Sequence, residues 1–356
     1  MRALFYAVNG LGLGHVTRLL GIARALRRLQ PDVEVLFLTS SEADGVLHRE
    51  RFAAVKLPSK TIREEVGLQK TRYLKLAQTV TWNTISAFDP DVLVVDTYPM
   101  GSFEELIPAL RWRQKNVFVF REQRRDAVGM PLLQATLPLY DAVIVPHANV
   151  EAVGRVPEPA KLRAVGPILV REREELRGRD EARRMLGLPP NETLVYASFG
   201  GGGEPESKDA LLASLAAVKA LPNARLVVGA GPLLRDLPEL PGAITLRGVY
   251  PMLEWLPAFD AAISAAGYNS VHELLFAGTP SVFIPFERVL DDQERRATFL
   301  QEQGAARAVT SLEPSALSAA LREAMGARAT IAAAARRLVP ANGAAAAANV
   351  LLEVCR

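Results

Sequence analysis

Ten short apolar runs alternate with longer segments of helical period, and this alternation limits what the chain can fold into more than any other feature. In the first half the runs are ALFYAV (3–8), VEVLFLT (33–39), DVLVVD (91–96), NVFVF (116–120) and DAVIVP (141–146), with helical spacing clearest at 16–29, 70–87 and 102–112. In the second half they are TLVYASF (193–199), ARLVVGA (224–230), AITLRG (243–248), DAAISAAG (260–267) and PSVFIPF (280–286). Helices are expected there near 207–220, 268–277, 290–303 and 315–324, followed by an alanine-rich helical stretch at 326–354 in which Asn342 or Gly343 can start a helix. Runs that are apolar throughout, rather than alternating, suit strands buried on both faces of a parallel sheet. The expected class is α/β: two doubly wound Rossmann-like domains facing a cleft, with a C-terminal helix packing back.

A chain of 356 residues exceeds what one core usually supports, which also favours two domains. Gly166-Pro167 marks a turn, and the charged stretch that follows reads as a linker. The predicted organisation is a domain over 1–165, a linker over 166–178 and a second domain over 179–356. Split at Gly166, the first part carries 22 Lys and Arg against 17 Asp and Glu, a net +5, and the remainder carries 20 against 22, a net −2. A mildly basic first half suits an anionic acceptor or membrane surface, or simply a solvated face. No nucleic acid partner is expected.

The one cysteine, Cys355, excludes an intramolecular disulfide and a cysteine metal cluster, and fits a cytoplasmic setting. The apolar residues after Arg2 run straight into glycines, so no secretory leader is expected. No window approaches the length of a membrane span.

The stretch GLGLGHVTRL (10–19) follows the first strand and opens a helix. Its G-x-G-x-G-H spacing departs from the dinucleotide fingerprint, and the second strand ends without the acidic residue a nicotinamide cofactor would need. Gly12 and Gly14 allow a sharp turn and close backbone approach. His15 then stands at the helix start. Asp96 ends the run DVLVVD, and in a sheet of order 3-2-1-4-5 that strand lies beside the first, so its carboxylate can hold an imidazole in the proton-accepting tautomer. A helix cap or loop hydrogen bond is the alternative for Asp96.

The second glycine cluster, SFGGGGEPES (198–207), also joins a strand to a helix. It reads as a loop admitting a diphosphate against backbone N–H groups, and it lacks the ending of a P-loop. In SAAGYNSVHELLFAGTPSVFIPFERVLDDQERRA (264–297), Gly267 makes a turn and Asn269 or Ser270 can cap the next helix, whose N-terminus is an anion site. Glu273 lies one turn further on, where it can accept hydrogen bonds from a ribose diol. Asp291, Asp292 and Gln293 follow the next strand.

This segment resembles the nucleotide-sugar donor signature of GT-B glycosyltransferases. The nearest branch is the one containing the bacterial enzyme that adds N-acetylglucosamine to the lipid-linked peptidoglycan precursor, with a family 28-like C-terminal domain. The elements carrying the resemblance are Ser264, Gly267, Glu273, Ala277-Gly278-Thr279-Pro280, Pro285-Phe286 and Asp292-Gln293. Gly166-Pro167-Ile168, the glycine loop at 200–203 and RGVYPMLEWLPAFDAAIS add to them.

The resemblance implies that Gly201, Gly202, Gly267, Tyr268 and Asn269 approach the donor diphosphate. It further implies that Arg247, Gly248 and Val249 present backbone to the nucleobase, Glu273 takes the ribose, and Asp292 and Gln293 take the transferred sugar. His15 falls on the family's glycine-histidine turn, as general base or as lining of the acceptor site. Gly12, Gly14 and Arg18 fall on the acceptor side, and Arg18 stands where the lipid-precursor enzymes have proline.

The expected function is transfer of a sugar, with inversion, from a nucleoside diphosphate sugar, foremost a UDP-sugar, to an acceptor hydroxyl. The transferred group is a hexosyl or N-acetylhexosaminyl unit, and the acceptor is a lipid-linked or small-molecule glycan. No cofactor and no metal are expected, and a peripheral membrane contact stays open. Two other readings remain: a UDP-sugar 2-epimerase of the same fold, and a nucleotide-sugar-binding accessory protein without chemistry.

Several further residues have plain readings. Asp89-Pro90-Asp91 is formally a D-x-D but precedes its strand. His147, after a strand end, reads as a loop histidine, with lining of the cleft as the alternative, and His272 reads as structural. Arg121, Glu122, Arg124 and Arg125 suit either an acceptor contact or a solvated loop.

Overall fold

The computed structural model describes residues 1–8, 12–121, 134–150, 158–200, 205–231, 234, 237–288 and 291–356. The chain divides into two compact units, Met1–Val170 with Gly343–Arg356, and Arg171–Asn342. The last fourteen residues therefore belong to the first unit, which corrects their expected grouping with the second half.

The first unit is built on seven parallel strands: β1 (Arg2–Ala7), β2 (Glu34–Thr39), β3 (Ala53–Lys56), β4 (Val92–Asp96), β5 (Lys115–Val119), β6 (Ala142–Val145) and β7 (Leu162–Ala164), in the order β3-β2-β1-β4-β5-β6-β7. Helices α1 (Gly14–Leu29), α2 (Gly45–Arg49), α3 (Lys60–Glu65) and α4 (Lys70–Phe88) connect the first four. The sheet is covered on both faces, so β1 and β4 are buried almost throughout, as their unbroken apolar runs require. One face holds Leu4, Tyr6, Leu93, Val95, Phe118 and Val143 in a single cluster. On β1 the alternate residue Phe5 stacks on Phe37, ring centroids 5.2 Å apart.

The second unit carries six strands: β8 (Thr193–Ser198), β9 (Ala224–Ala230), β10 (Ile244–Arg247), β11 (Ala261–Ala265), β12 (Ser281–Ile284) and β13 (Arg307–Ala308), in the order β10-β9-β8-β11-β12-β13. Its helices are α5 (Arg179–Met185), α6 (Pro205–Lys219), α7 (Tyr268–Ala277), α8 (Gln293–Glu302), α9 (Pro314–Gly326) and α10 (Arg328–Leu338). The final helix α11 (Ala344–Val354) packs against α1 in the first unit. The alanine-rich stretch is thus two helices, separated at Pro340 and restarted at Gly343, the N-cap of α11. Gly343 is where the backbone must come close. Its N–H donates to Pro167 O at 2.8 Å, and a Cβ there would lie 2.4 Å from Val165 O.

The helix expected over 102–112 is corrected to turns and one 3-10 turn, Ala109–Arg111. The cause is local: Glu104 sits at φ +71, which ends any helix, and the Glu105 carboxylate accepts the N–H groups of Ser102 (3.1 Å) and Phe103 (2.9 Å). That carboxylate, 1% exposed, also receives the Tyr6 hydroxyl. In each sheet the strand order reverses once, between β1 and β4 and between β8 and β11. Ligands of doubly wound sheets bind outside the carboxyl ends of the strands at such switch points.

Candidate functional site

At the first switch point β1 ends beside Asp96, the last residue of β4, because Tyr6 is in register with Val95. The Asp96 side chain is fully buried. Helix α1 brings two residues of one face to it, His15 and Arg18, three apart and hence neighbours on the helix surface. Arg18 donates from Nη2 to Oδ1 (2.9 Å) and Oδ2 (2.8 Å), and from Nε to Oδ2 (3.2 Å). His15 Nδ1 lies 3.4 Å from Oδ2, near enough for attraction but without a well-formed hydrogen bond. Catalytic hydrogen bonds commonly tighten only when substrate is bound.

Burial alone would raise the Asp96 carboxyl, but Arg18 and then His15 outweigh it and bring it down to about 2. The charged form is therefore the one present. Thr97 completes the group from a left-handed conformation, φ +68, a costly position for a β-branched residue, and its hydroxyl donates to Asp96 Oδ1 at 2.8 Å. The Tyr98 ring stands 6.0 Å from the His15 ring.

Arg18 corrects an expectation. Expected on the acceptor side, it is 2% exposed and spends its charge on Asp96. Burial of a guanidinium requires such a partner, and the β4 carboxylate supplies it. Gly12, Gly14 and His15 are partly exposed. His147 is partly exposed beyond β6, and its carbonyl accepts Gly166 N–H at 3.0 Å. Asp89 and Asp91 lie at the opposite, amino end of β4. There Asp89 binds Arg2 (3.0 Å) and Arg113, and Asp91 accepts the Arg2 N–H at 2.7 Å, which is turn chemistry. Of REQRRD, Arg121 is described, while Glu122, Arg124 and Arg125 lie outside the described residues.

At the second switch point Ser264 Oγ donates to Ser198 O at 2.9 Å, tying β11 to β8. Gly267, rather than Asn269 or Ser270, is the N-cap of α7. With no side chain to cap, it leaves the face of the first turn to backbone, the arrangement that accepts anions. Tyr268 is buried, and its carbonyl lies 2.7 Å from His272 Nδ1, which accounts for that histidine as structural. The helix closes at Gly278, φ +70, with Thr279 N–H on Leu274 O at 3.1 Å. The Ala277-Gly278-Thr279-Pro280 motif is thus a left-handed helix stop leading into β12.

Glu273 is partly buried and makes no hydrogen bond or ion pair with another described residue. Burial pushes its carboxyl up to about 7. Gln293 is 6% exposed; its Oε1 accepts Phe286 N–H at 3.0 Å, and its Nε2 lies 4.0 Å from the position a Cβ on Gly267 would occupy. Asp292 caps α8, Oδ1 accepting Arg295 N–H at 3.1 Å, which occupies one of its oxygens.

Arg296, one turn after Gln293, was not singled out in the sequence. It donates to Ala266 O (2.7 Å) and Asp291 Oδ1 (2.7 Å), locking the backbone just before Gly267. Its i+3 spacing from Gln293 was the available signal. Arg247 and Gly248 are exposed at the end of β10, with Gly248 at φ +70, and Val249 is partly buried. In the glycine loop Gly200 has φ +91, while Gly201 and Gly202 lie outside the described residues.

Residues 244–350 match the glycosyltransferase family 28 C-terminal domain. The chain is 26% identical over 323 residues to the UDP-N-acetylglucosamine--N-acetylmuramyl-(pentapeptide) pyrophosphoryl-undecaprenol N-acetylglucosamine transferase of Moorella thermoacetica, covering 84% of each. Among solved structures it is similar to the spinosyn rhamnosyltransferase SpnG complexed with thymidine diphosphate (TM-score 0.69, 17% identity, 99% of this chain and 100% of that one). It is also similar to MurG of Acinetobacter baumannii (TM-score 0.63, 17% identity, 99% of each).

Fold and matched region together are those of a glycosyltransferase of the GT-B fold. More particularly, the stretch matching the glycosyltransferase family 28 C-terminal domain runs from β10 in the second unit into α11 in the first, and it includes Gly267, Glu273 and Gln293. Neither the epimerase nor the accessory-protein reading is favoured by these relatives. Among the described residues no helix is long and apolar enough to cross a membrane.

Proposed function

We propose that this glycosyltransferase moves a hexosyl or N-acetylhexosaminyl group from a UDP-sugar to an acceptor hydroxyl with inversion, on a lipid-linked or small-molecule glycan. The observation that carries the reading is the pairing of His15 with a buried, ionised Asp96. A carboxylate facing Nδ1 favours the tautomer whose Nε2 accepts a proton, and it stabilises the imidazolium formed as the acceptor oxygen attacks. The single-displacement geometry that such a base serves gives inversion.

The donor side rests on Gly267 and Glu273. The uncapped first turn of α7, with Gly201, Gly202, Tyr268 and Asn269, would face the diphosphate and stabilise the charge that builds on the leaving phosphate. Glu273, a carboxylate without a hydrogen-bond or ion-pair partner among the described residues, would accept the ribose hydroxyls. Gln293 Nε2 and the second oxygen of Asp292 would hold the sugar, and Arg247, Gly248 and Val249 the base. UDP is proposed as the nucleotide because the relative that spans most of this chain is named for UDP-N-acetylglucosamine. Gly12 and Gly14 would admit the acceptor beside His15.

No metal is invoked, since helix dipole and backbone donors meet the leaving diphosphate, and the protein is proposed to work in the cytoplasm, where a peripheral membrane contact would reach a lipid-linked acceptor. The test is a panel of UDP-, dTDP- and GDP-sugars incubated with enzyme in chelator, followed by assay of released nucleoside diphosphate and of the anomeric configuration of the product. Release confined to UDP-sugars with an inverted product supports the proposal. A retained configuration, or turnover abolished by chelator, contradicts it.

A further inference from the structure

We infer that Arg18 is a positioning residue for the His15–Asp96 pair: one turn of α1 presents both the base and the clamp that fixes the base's carboxylate. The inference rests on the reading of His15 as the base. Its geometry is independent of that reading.

Asp96 has two oxygens and four donors facing them. Arg18 Nη2 bridges both, Arg18 Nε and His15 Nδ1 share Oδ2, and the Thr97 hydroxyl takes Oδ1. With Oδ1 held by Thr97 and Nη2, the carboxylate plane is fixed, and Oδ2 is left turned toward His15. The Asp96 side chain is 0% exposed, so its charge is met by these protein donors rather than by bulk water.

A buried ion pair of this kind adds little net stability compared with well-packed apolar residues of the same volume. What it adds is a defined carboxylate orientation.

The clamp also has an electrostatic effect. When His15 takes a proton, two cations share one carboxylate at Oδ2. Of the titratable groups facing the pair among the described residues, Arg18 and His15 come from α1, Asp96 from the end of β4, and Tyr98 from the loop that follows it. Arg18 thereby sets where the Asp96 carboxylate points when His15 takes a proton.

The experiment is a 1H–15N NMR titration of the His15 imidazole in the full-length enzyme, wild type against R18Q and R18K, with H15Q to assign the signal among four histidines. R18Q keeps a hydrogen-bonding side chain but no charge, and its His15 midpoint is expected to move away from the wild-type value. R18K keeps the charge, so its midpoint stays at the wild-type value while turnover of UDP-N-acetylglucosamine falls about tenfold or more with KM for the donor unchanged, because one ammonium cannot grip both oxygens. A structural role alone would lower the melting temperature and move neither midpoint nor turnover per folded molecule.

Should R18Q not fold, wild type alone decides. The Arg18 Nε–H resonance is expected to shift with the His15 midpoint, since both face Oδ2, and a resonance indifferent to His15 ionisation overturns the inference. H15A is assayed in parallel. Full turnover in H15A overturns the base assignment itself, whereas lost turnover in H15A with an unmoved midpoint in R18Q overturns only the role given to Arg18.

Discussion

Replacing Glu273 by glutamine should make the protein more stable and a worse binder at once. The wild-type carboxyl is displaced from 4.5 to about 7 by burial, with no partner among the described residues to offset it. At about 1.36 kcal/mol per pH unit this displacement corresponds to roughly 3 kcal/mol as an upper bound. Because part of the side chain still meets solvent, about 1–2 kcal/mol is the more realistic figure.

The penalty has a defined pH window. Above pH 7 the native carboxylate is ionised in surroundings that disfavour it, and the whole penalty is felt. As pH falls from 7 to 4.5 the native group takes up its proton while the unfolded one stays ionised, so the penalty shrinks, and below 4.5 it is gone. E273Q, which never ionises, should therefore melt about 3–6 °C above wild type at pH 8 and together with it at pH 4. The same variant should bind UDP about tenfold to a hundredfold more weakly by calorimetry, having lost the charged acceptor for the ribose. A variant that is less stable at pH 8, or one whose gain is equal at pH 8 and pH 4, would refute the reasoning.

Three further substitutions report on separate parts of the account. D96N leaves the Arg18 guanidinium buried opposite a neutral amide and should cost about 3–5 kcal/mol in chemical denaturation; a cost under 1 kcal/mol would mean that the pair relaxes toward solvent. G343A places a methyl group 2.4 Å from Val165 O, so α11 must shift, and about 1–3 kcal/mol of stability should be lost from the first unit while donor affinity is unchanged. D292A removes the cap of α8 and should lower stability by about 1 kcal/mol, with any extra loss of KM for the sugar donor measuring what the second oxygen contributes.

Both sheets were legible because buried parallel strands are apolar without interruption, and all ten predicted runs overlap strands. The three strands not anticipated, β3, β7 and β13, are short ones whose partly exposed residues, such as the AAVK of β3, carry little apolar signal. Each lies at an edge of its sheet. The turns over 102–112 were hidden for a different reason: helical spacing was present, but the side chain of Glu105 captures the amides a helix would use.

At the site, His15 and Asp96 could be brought together from strand order alone. The position of Arg18 could not, since a charged residue on a helix is ordinarily solvated. Its burial depends on a carboxylate 78 positions away in the chain. The left-handed Thr97 left no mark in the sequence either, because threonine is not a residue that announces positive φ.

In the proposed division of labour, His15 in the first unit activates the acceptor, and the second unit holds the donor without it. Transfer from UDP-N-acetylglucosamine and binding of UDP, measured on wild type and H15A in the same preparation, test it most directly. H15A should lose about a hundredfold to ten-thousandfold in turnover while its affinity for UDP stays within a factor of two or so. Turnover near the wild-type value in H15A, or a parallel loss of UDP binding, would contradict the account.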